Sequence, residues 1–195
     1  MTPVRPVVLQ ASELTIRTLA WRFEEVLRLG DGTEAETVVD DALAGGLAPE
    51  AVQSLVIAPA MVRIGELWES RQTGVADEHL ATSISSHAMI HLLAKMSVRR
   101  TCDRSRETIL LAAVEGQHHV LGLRMVADVL ESAGYVVYYL GSDVPVASLR
   151  DFARLHRPAV VGLAVGIAAD VSRVADSIGA LNEVSGDIRI MLGGR

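Results

Sequence analysis

The sequence predicts an α/β protein in two parts: a four-helix bundle over residues 12–100 and a domain with an open parallel sheet over 108–195. Two observations lead to this fold class. In the first part, apolar residues recur at helical spacing, and short glycine-containing turns separate the segments. In the second part, short apolar runs alternate with helical stretches, which is typical of parallel strands joined by helices.

The bundle is predicted from four helical segments joined by short loops, which favour antiparallel neighbours. The segments cover about residues 12–29, 33–45, 49–69 and 75–99. Gly30 and Gly32 end the first segment, and Thr33 is the expected N-cap of the second. Pro59 lies inside the third segment, where its ring and its missing N–H predict a kink or a break.

The second part begins after a polar stretch, residues 101–107, which we expect to be a linker. Predicted strands cover 108–114, 135–140, 159–165 and 188–192, and predicted helices cover 119–133, 146–155 and 170–184. This order predicts a flavodoxin- or Rossmann-like sheet with helices on both faces. Residues 1–11 are expected to form a flexible N-terminus.

Charge and cysteine content exclude several function classes. The net charge is −6, so direct binding of DNA by this chain is not expected. Cys102 is the single cysteine, which excludes an internal disulfide and a cysteine-rich metal site. The sequence has no apolar run of the roughly 20 residues that a membrane helix needs, and it begins with no signal-peptide pattern. We therefore expect a cytoplasmic protein that does not bind membranes.

Three segments follow predicted strands, at the edge of a parallel sheet where ligands bind. They contain Gln117, His118, His119 and Gly122; then Ala164 and Gly166; then Gly193 and Gly194. A loop imidazole such as that of His119 can reach a metal, and the small residues would leave a slot between the sheet and a helix. Taken singly, each segment also fits an ordinary glycine-rich turn or a surface histidine pair.

The spacing of these segments resembles the cobalamin-binding domain of methionine synthase, the mutases and the corrinoid carrier proteins. That family has Asp-x-His-x-x-Gly, then Ser-x-Leu, then Gly-Gly; here 41 residues separate Gly122 from Ala164, and 26 separate Gly166 from Gly193. The resemblance implies that His119 is the lower axial ligand of cobalt. It also implies that the slot takes the dimethylbenzimidazole tail, with His118 beside the ligand and pointing elsewhere.

The sequence departs from this family pattern at three positions. Gln117 replaces the acidic residue that bonds the ligand histidine, Ala164 replaces the serine, and Gly166 replaces the leucine. An amide can still accept a hydrogen bond from an imidazole N–H, but it gives the ligand less basicity than a carboxylate does. The sequence also stops one residue after Gly194, where the family continues with a strand and a helix, so we expect either a truncated domain or a fold that is completed otherwise.

A second pattern lies in the predicted bundle, where nine residues separate Trp68 from Glu78-His79. It resembles the light-sensing, adenosylcobalamin-binding domain of the bacterial photoreceptors that regulate carotenoid synthesis. The resemblance implies that the bundle caps the upper face of the cobalamin. Trp68 would pack on the adenosyl group and Glu78 would bond its ribose, with His79 beside them.

Together the patterns predict a cobalamin-binding light sensor rather than an enzyme, with adenosylcobalamin as chromophore. Its signal would pass to a partner protein or to an output domain absent from this sequence. The main alternative is a methyl-carrying corrinoid protein of a methyltransferase system; cobalamin storage or delivery, and a sensor that also binds a bilin, are further alternatives. A homodimer is expected. His87 and His91, four residues apart, are expected to be exposed or core-edge histidines rather than metal ligands.

Overall fold

The computed structural model describes residues 12–96, 107–166 and 171–194. The chain divides into two compact units, Met1–Arg99 and Arg100–Arg195. The predicted N-terminal segment 1–11 and all but the last residue of the predicted linker lie outside the described residues, as does Cys102. In the described part of the chain, no helix is both long and apolar enough to cross a membrane.

The first unit contains the four predicted helical segments. Its elements are α1 (Glu13–Leu29), α2 (Gly32–Ala44), α3 (Pro49–Val52), a π-helical turn (Gln53–Ile57), α4 (Ala58–Glu69) and α5 (Val75–Met96). α1 packs against α2, α4 and α5, and α5 also packs against α2 and α4. Among the described residues, the core between them is built mainly from Ala, Val, Leu and Ile, together with Met89 and one aromatic ring, Phe23, which is fully buried.

The helix over Pro49–Glu69 passes Pro59 through a π-helical turn rather than a break. The N–H of Ala58 donates to the carbonyl of Gln53, five residues earlier. This wider turn precedes Pro59, which has no N–H and whose ring would crowd the carbonyl four residues before it. The predicted break is therefore absent: the helix widens to a π-helical turn before Pro59 and continues to Glu69.

The cap of α2 differs from the prediction. Asp31, not Thr33, is the N-cap, because its Oδ1 accepts from the N–H of Glu34 at 3.0 Å. α1 ends at Gly30, which adopts φ 73° and so reverses the chain at once. Asp31 is therefore the only residue between this reversal and the first turn of α2.

The second unit is a four-stranded, wholly parallel sheet, as predicted. Its strands are β1 (Thr108–Val114), β2 (Val136–Val144), β3 (Val160–Ala164) and β4 (Arg189–Gly193), in the order β2-β1-β3-β4. Its helices are α6 (Leu121–Ser132), α7 (Val146–His156) and α8 (Val171–Val184). Alternate residues of β1 face opposite cores: Leu110 lies in the cluster with α7 and α8, and Leu111 in the cluster with α6.

This strand order creates a switch point between β1 and β3. The chain leaves β1 toward α6 on one face and leaves β3 toward α8 on the other. In open α/β sheets, ligands bind at the carboxyl ends of the strands at such a switch point.

Two predicted element ends in this unit were wrong, that of the strand over 135–140 and that of the helix over 146–155, which left His156 in a loop. β2 continues to Val144 instead of ending at Leu140, because irregular pairing with β1 accommodates Gly141 and Asp143, which both have positive φ. His156 is the last residue of α7 rather than a loop residue. Its ring stacks on Phe152, with centroids 4.1 Å apart, and lies 4.6 Å from Tyr138.

Candidate functional site

The three sequence segments predicted to form a site meet at the carboxyl edge of the sheet. The side chain of Gln117, after β1, lies against Gly166, after β3, so closely that a Cβ at Gly166 would overlap its amide nitrogen. The N–H of Val165 donates to the carbonyl of Gly193 at 2.8 Å, which joins the end of β4 to the same edge. The residues that were linked only by spacing in the sequence are therefore neighbours.

His119 lies on a loop, residues 115–120, that is fixed by main-chain contacts. The predicted helix starts at Leu121 instead of His119, so His118 and His119 stay in the loop, and both are exposed. Gly116 turns the chain with φ 86°, and the N–H of Gln117 donates to the carbonyl of Val114 at 2.9 Å. The result is an imidazole presented to solvent from an ordered turn.

Two side chains from distant elements hold this loop. The N–H of Gly116 donates to Oδ1 of Asp143 at 2.7 Å, and the N–H of Asp143 donates to the carbonyl of Gln117 at 3.0 Å. From α8, Nη1 of Arg173 donates to the carbonyl of Glu115 at 2.5 Å. Sequence reasoning missed both residues; only Asp143, near the carboxyl end of a strand, carried a positional signal.

Gln117 is buried, with 4 % of its surface exposed. Its Oε1 accepts from the backbone N–H of His119 at 2.8 Å, a local side-chain-to-backbone bond of the kind that stabilises tight turns. The expected acceptor for the imidazole of His119 is thus engaged with the backbone of the same residue. A carbonyl oxygen has two lone pairs, so it can accept one further hydrogen bond.

The glycines of the site fall into two groups. Gly166 and Gly194 are required by packing: a Cβ at Gly166 would overlap Gln117, and one at Gly194, where φ is 152°, would overlap the carbonyl of Val165. Gly122 and Gly193 face open space, and a Cβ there would meet no atom within 4 Å. The fold therefore does not require glycine at these two positions.

This edge fits a metal-centred macrocycle. It offers the exposed imidazoles of His118 and His119, and the corrin ring would supply further nitrogen ligands of cobalt. Open, side-chain-free surface lies at Gly122 and Gly193, and Ala164 is half-buried at the end of β3. Among the described residues, no group of three or more His, Cys, Asp or Glu side chains could hold an isolated metal ion. One protein ligand suits a cobalt that arrives with its own ring.

The bundle residues of the second pattern flank one turn. Trp68 lies in the last turn of α4 and is 43 % exposed, and Glu78 lies in the first turn of α5, followed by His79. Oε2 of Glu78 is 2.9 Å from Nδ1 of His79, and Oε1 accepts from the hydroxyl of Thr82 at 2.8 Å. The Glu78 side chain is 14 % exposed, whereas that of His79 is 73 % exposed. The carboxylate is thus held in place, and Thr82 is a supporting residue that the sequence pattern did not reveal.

The two other bundle histidines lie in different surroundings. His87 is exposed, and Nε2 of His91 lies 2.9 Å from Oδ1 of Asp40 on α2. Nζ of Lys95 lies 2.6 Å from the same oxygen. These hydrogen bonds, first from Lys95 and then from His91, hold the pKa of Asp40 below its ordinary value. His91 thus sits in an ion-pair network between α2 and α5, as expected of a core-edge residue.

Comparison with known families matches both units to cobalamin-binding models. Residues 107–195 match one model described as a B12 binding domain, and residues 19–93 match a second model with the same description. The first match includes every predicted residue of the sheet edge, and the second includes Trp68, Glu78 and His79.

Individual relatives are distant. The chain is 27 % identical over 127 residues to trimethylamine corrinoid protein 1 of Methanosarcina acetivorans, a match that covers 65 % of this chain and 59 % of that protein. It is 29 % identical over 153 residues to the HTH-type transcriptional repressor CarH of Myxococcus xanthus, covering 78 % and 49 %. The chain thus spans about half to about three fifths of the length of these curated relatives.

Among solved structures, the monomethylamine corrinoid protein of Methanosarcina barkeri matches with a TM-score of 0.76. The match covers 91 % of this chain and 84 % of that one, at 18 % sequence identity. It establishes the shared fold.

Proposed function

Because both units belong to the cobalamin-binding domain families, we propose that the chain is a light-sensing module with adenosylcobalamin as its chromophore. In this proposal His119 is the lower ligand of cobalt. Gly122, Ala164, Gly166, Gly193 and Gly194 border the cofactor at the sheet edge, with His118 and Gln117 beside the ligand. When bound, adenosylcobalamin supplies a weak cobalt–carbon bond that visible light breaks.

The observation that carries the proposal is the arrangement of Trp68, Glu78 and His79 around one turn of the bundle. An indole offers a flat apolar wall to a nucleoside, and a carboxylate binds a ribose diol well. Glu78 is already held by His79 and Thr82, at 2.9 and 2.8 Å. It therefore loses little conformational freedom when a ligand binds, which favours recognition of the adenosyl group.

The signal would pass to a separate protein or to a further domain of a longer chain. The similarity to the repressor from Myxococcus xanthus supports a regulatory output, although we propose no DNA binding by these residues.

A dimer in the dark is part of the proposal. Leu14 and Trp21, seven residues apart on α1, are 75 % and 61 % exposed and offer two apolar side chains on one face of the helix. Light scattering of the loaded protein measures this state.

The second candidate function is a methyl-carrying corrinoid protein. The similarity to a trimethylamine corrinoid protein, and the fold shared with a monomethylamine corrinoid protein, support it. This function needs the edge around His119 but gives no task to an adenosyl-recognising carboxylate. The bundle residues therefore discriminate between the two candidates.

A spectroscopic experiment separates them. The protein is loaded in the dark with adenosylcobalamin or with methylcobalamin, freed of excess cofactor, and followed by absorption before and after green light. A sensor retains the adenosyl form preferentially and changes both its spectrum and its oligomeric state on illumination. Equal or better retention of methylcobalamin, with no change of state in light, would favour the methyl carrier and reject the sensor.

A further inference from the structure

Asp143 occupies an unusual backbone position at the end of β2. Its φ is 52°, one of three positive values at non-glycine residues in the described part of the chain. Aspartate and asparagine tolerate this left-handed conformation better than other side chains, because they can bond to nearby backbone. At this point the pairing of β2 with β1 is irregular, so the strand turns its last residues toward the neighbouring loop.

From this position Asp143 makes two hydrogen bonds to adjacent residues of the loop after β1. Its Oδ1 accepts from the N–H of Gly116 at 2.7 Å, and its own N–H donates to the carbonyl of Gln117 at 3.0 Å. The first bond has an ionised acceptor, which makes it stronger than a bond between neutral groups. Together the bonds fix two nearby peptide groups of the loop, the one before Gly116 and the one after Gln117.

The connection continues from these peptide groups to His119. Oε1 of Gln117 accepts from the N–H of His119 at 2.8 Å, so the backbone of the candidate ligand is tied to a residue that Asp143 holds. We propose that Asp143 is a positioning residue for His119, an inference that rests on the proposed role of His119 as cobalt ligand. Asp143 acts through the loop, and its carboxylate is engaged by Gly116.

The side chain of Asp143 can be changed to test the orientation of the His119 loop without changing the packing of the core. Asp143 is exposed and contributes no side chain to either core of the unit. Asp143→Gly removes the acceptor for Gly116 while keeping the backbone N–H and a residue for which φ 52° is unstrained. Asp143→Asn keeps an acceptor oxygen at the same place. Comparing the two variants tests the acceptor for Gly116, with glycine also adding backbone freedom. Neither variant removes a side chain from the two cores of the unit, so neither is expected to disturb the fold.

The test is a titration of the full chain with hydroxocobalamin, followed by absorption, on the parent, Asp143→Gly, Asp143→Asn and His119→Ala. Removing a partner that orients a metal ligand typically weakens binding by about 10–100-fold. Asp143→Gly should therefore bind at least about tenfold more weakly and lose part of the imidazole-ligated spectrum. Asp143→Asn should stay closer to the parent in both measurements. Arg157→Gly is the matched control, because Arg157 also has positive φ, 46°, but lies after α7 away from this loop.

Thermal unfolding of each variant checks that the fold is kept. If Asp143→Gly is folded and matches the parent in affinity and spectrum, the inference is wrong. If Asp143→Gly does not fold, the acceptor of Asp143 serves the fold, and the inference is also wrong. If His119→Ala matches the parent, the proposed ligand is wrong and the positioning role falls with it. A parental His119-dependent spectrum, weakened in Asp143→Gly and restored in Asp143→Asn, supports the proposal.

Discussion

The two units present their candidate site residues in different ways. At the sheet edge, the loop of His119 is held by contacts that span 27 residues to Asp143 and 58 residues to Arg173. In the bundle, the contacts of Glu78 that we describe are local, to His79 next in sequence and to Thr82 one helical turn later. The first arrangement exists only when the whole sheet is folded, whereas the second forms within one helix.

This difference indicates that the two units have separate roles in binding the cofactor. A ligand that must be held in one orientation, such as a metal-binding imidazole, benefits from a loop fixed by several elements. A group that recognises one variable part of a cofactor can sit on a helix surface, where substitutions leave the fold intact. We therefore expect changes at the sheet edge to affect every form of cobalamin, and changes in the bundle to affect the adenosyl form alone.

His119→Ala should have the largest effect. Without the lower ligand, affinity for cobalamin should fall by about 100-fold, equivalent to about 2.7 kcal/mol, and the bound spectrum should become base-on or water-ligated. The loss should be similar for adenosyl-, methyl- and hydroxocobalamin. His118→Ala is the matched control, since its exposed ring lies next in sequence. A parental spectrum in His119→Ala, or equal losses in both variants, would reject the assignment of the ligand.

The loop that carries His119 could be located from the sequence because the segments that flank it in the chain have clear patterns. β1 was predicted with its observed ends, Thr108 and Val114, since an apolar run stands between a polar segment and Glu115-Gly116. The three segments of the edge were placed by the rule that parallel strands end at the same side of a sheet. Their mutual contacts follow from topology, which alternating strands and helices indicate well.

Three features could not be predicted from the sequence: the end of β2, the contact of Arg173 and the N-cap of α2. They depend on residues that are close only in the folded chain, or on two neighbouring residues that could both form the cap. Gly141-Ser142-Asp143 has the composition of a turn, yet it continues β2 because irregular pairing with β1 absorbs the positive φ values. Arg173 lies on α8 and carries no pattern that links it to Glu115. Asp31 and Thr33 are both capable N-caps, and the tight reversal at Gly30 decides between them.

Substitutions of the glycines at the sheet edge should have the next largest effects. They test which of these glycines the fold requires and which border the cofactor. Gly194→Ala places a Cβ against the carbonyl of Val165 at φ 152°, so we expect a loss of unfolding free energy of about 1–3 kcal/mol. Gly122→Ala adds a Cβ in open space within the first turn of α6, so stability should stay equal or rise by up to about 1 kcal/mol. Its cobalamin affinity should nevertheless fall, because the added methyl lies beside the ligand loop.

Urea unfolding without cofactor and cofactor titration measure these two quantities separately. Gly186→Ala is the control for the titration, since Gly186 also faces open space but lies between α8 and β4. If Gly122→Ala binds cobalamin as tightly as the parent and Gly186→Ala, the open surface at Gly122 does not border the cofactor.

In the bundle, Glu78→Ala should lower affinity for adenosylcobalamin by about 1–3 kcal/mol, the range for removing one partner of a buried polar contact. Affinity for methylcobalamin should stay within about twofold of the parent, a change of about 0.4 kcal/mol. Dark titrations with both cofactors measure the ratio. Glu25→Ala, at an exposed position on α1, is the control for loss of a carboxylate. Equal losses for both cofactors would show that Glu78 supports the bundle in general and does not recognise the adenosyl group.

The smallest expected effect concerns the scaffold of the bundle, at Asp40. Its pKa is held below the ordinary value of 3.8 by hydrogen bonds from Lys95 and then from His91. A carboxyl group with a lowered pKa in the folded state contributes stability above its unfolded pKa, and the contribution is lost as the pH falls through the folded value. Since 46 % of the Asp40 side chain is exposed, solvent screening limits this contribution to below about 1 kcal/mol.

Asp40→Asn should therefore reduce the unfolding free energy slightly at pH 7, and the difference from the parent should disappear once the pH is well below 3.8. Urea unfolding of both proteins over this range measures the difference, in which contributions of other carboxylates cancel. The ratio of adenosyl- to methylcobalamin affinity at pH 7 should be unchanged in Asp40→Asn, because α2 carries none of the proposed adenosyl-binding residues. A change in that ratio would mean that cofactor selectivity is spread through the packing of α2 and α5. It would also mean that selectivity is not confined to the turn that carries Trp68, Glu78 and His79.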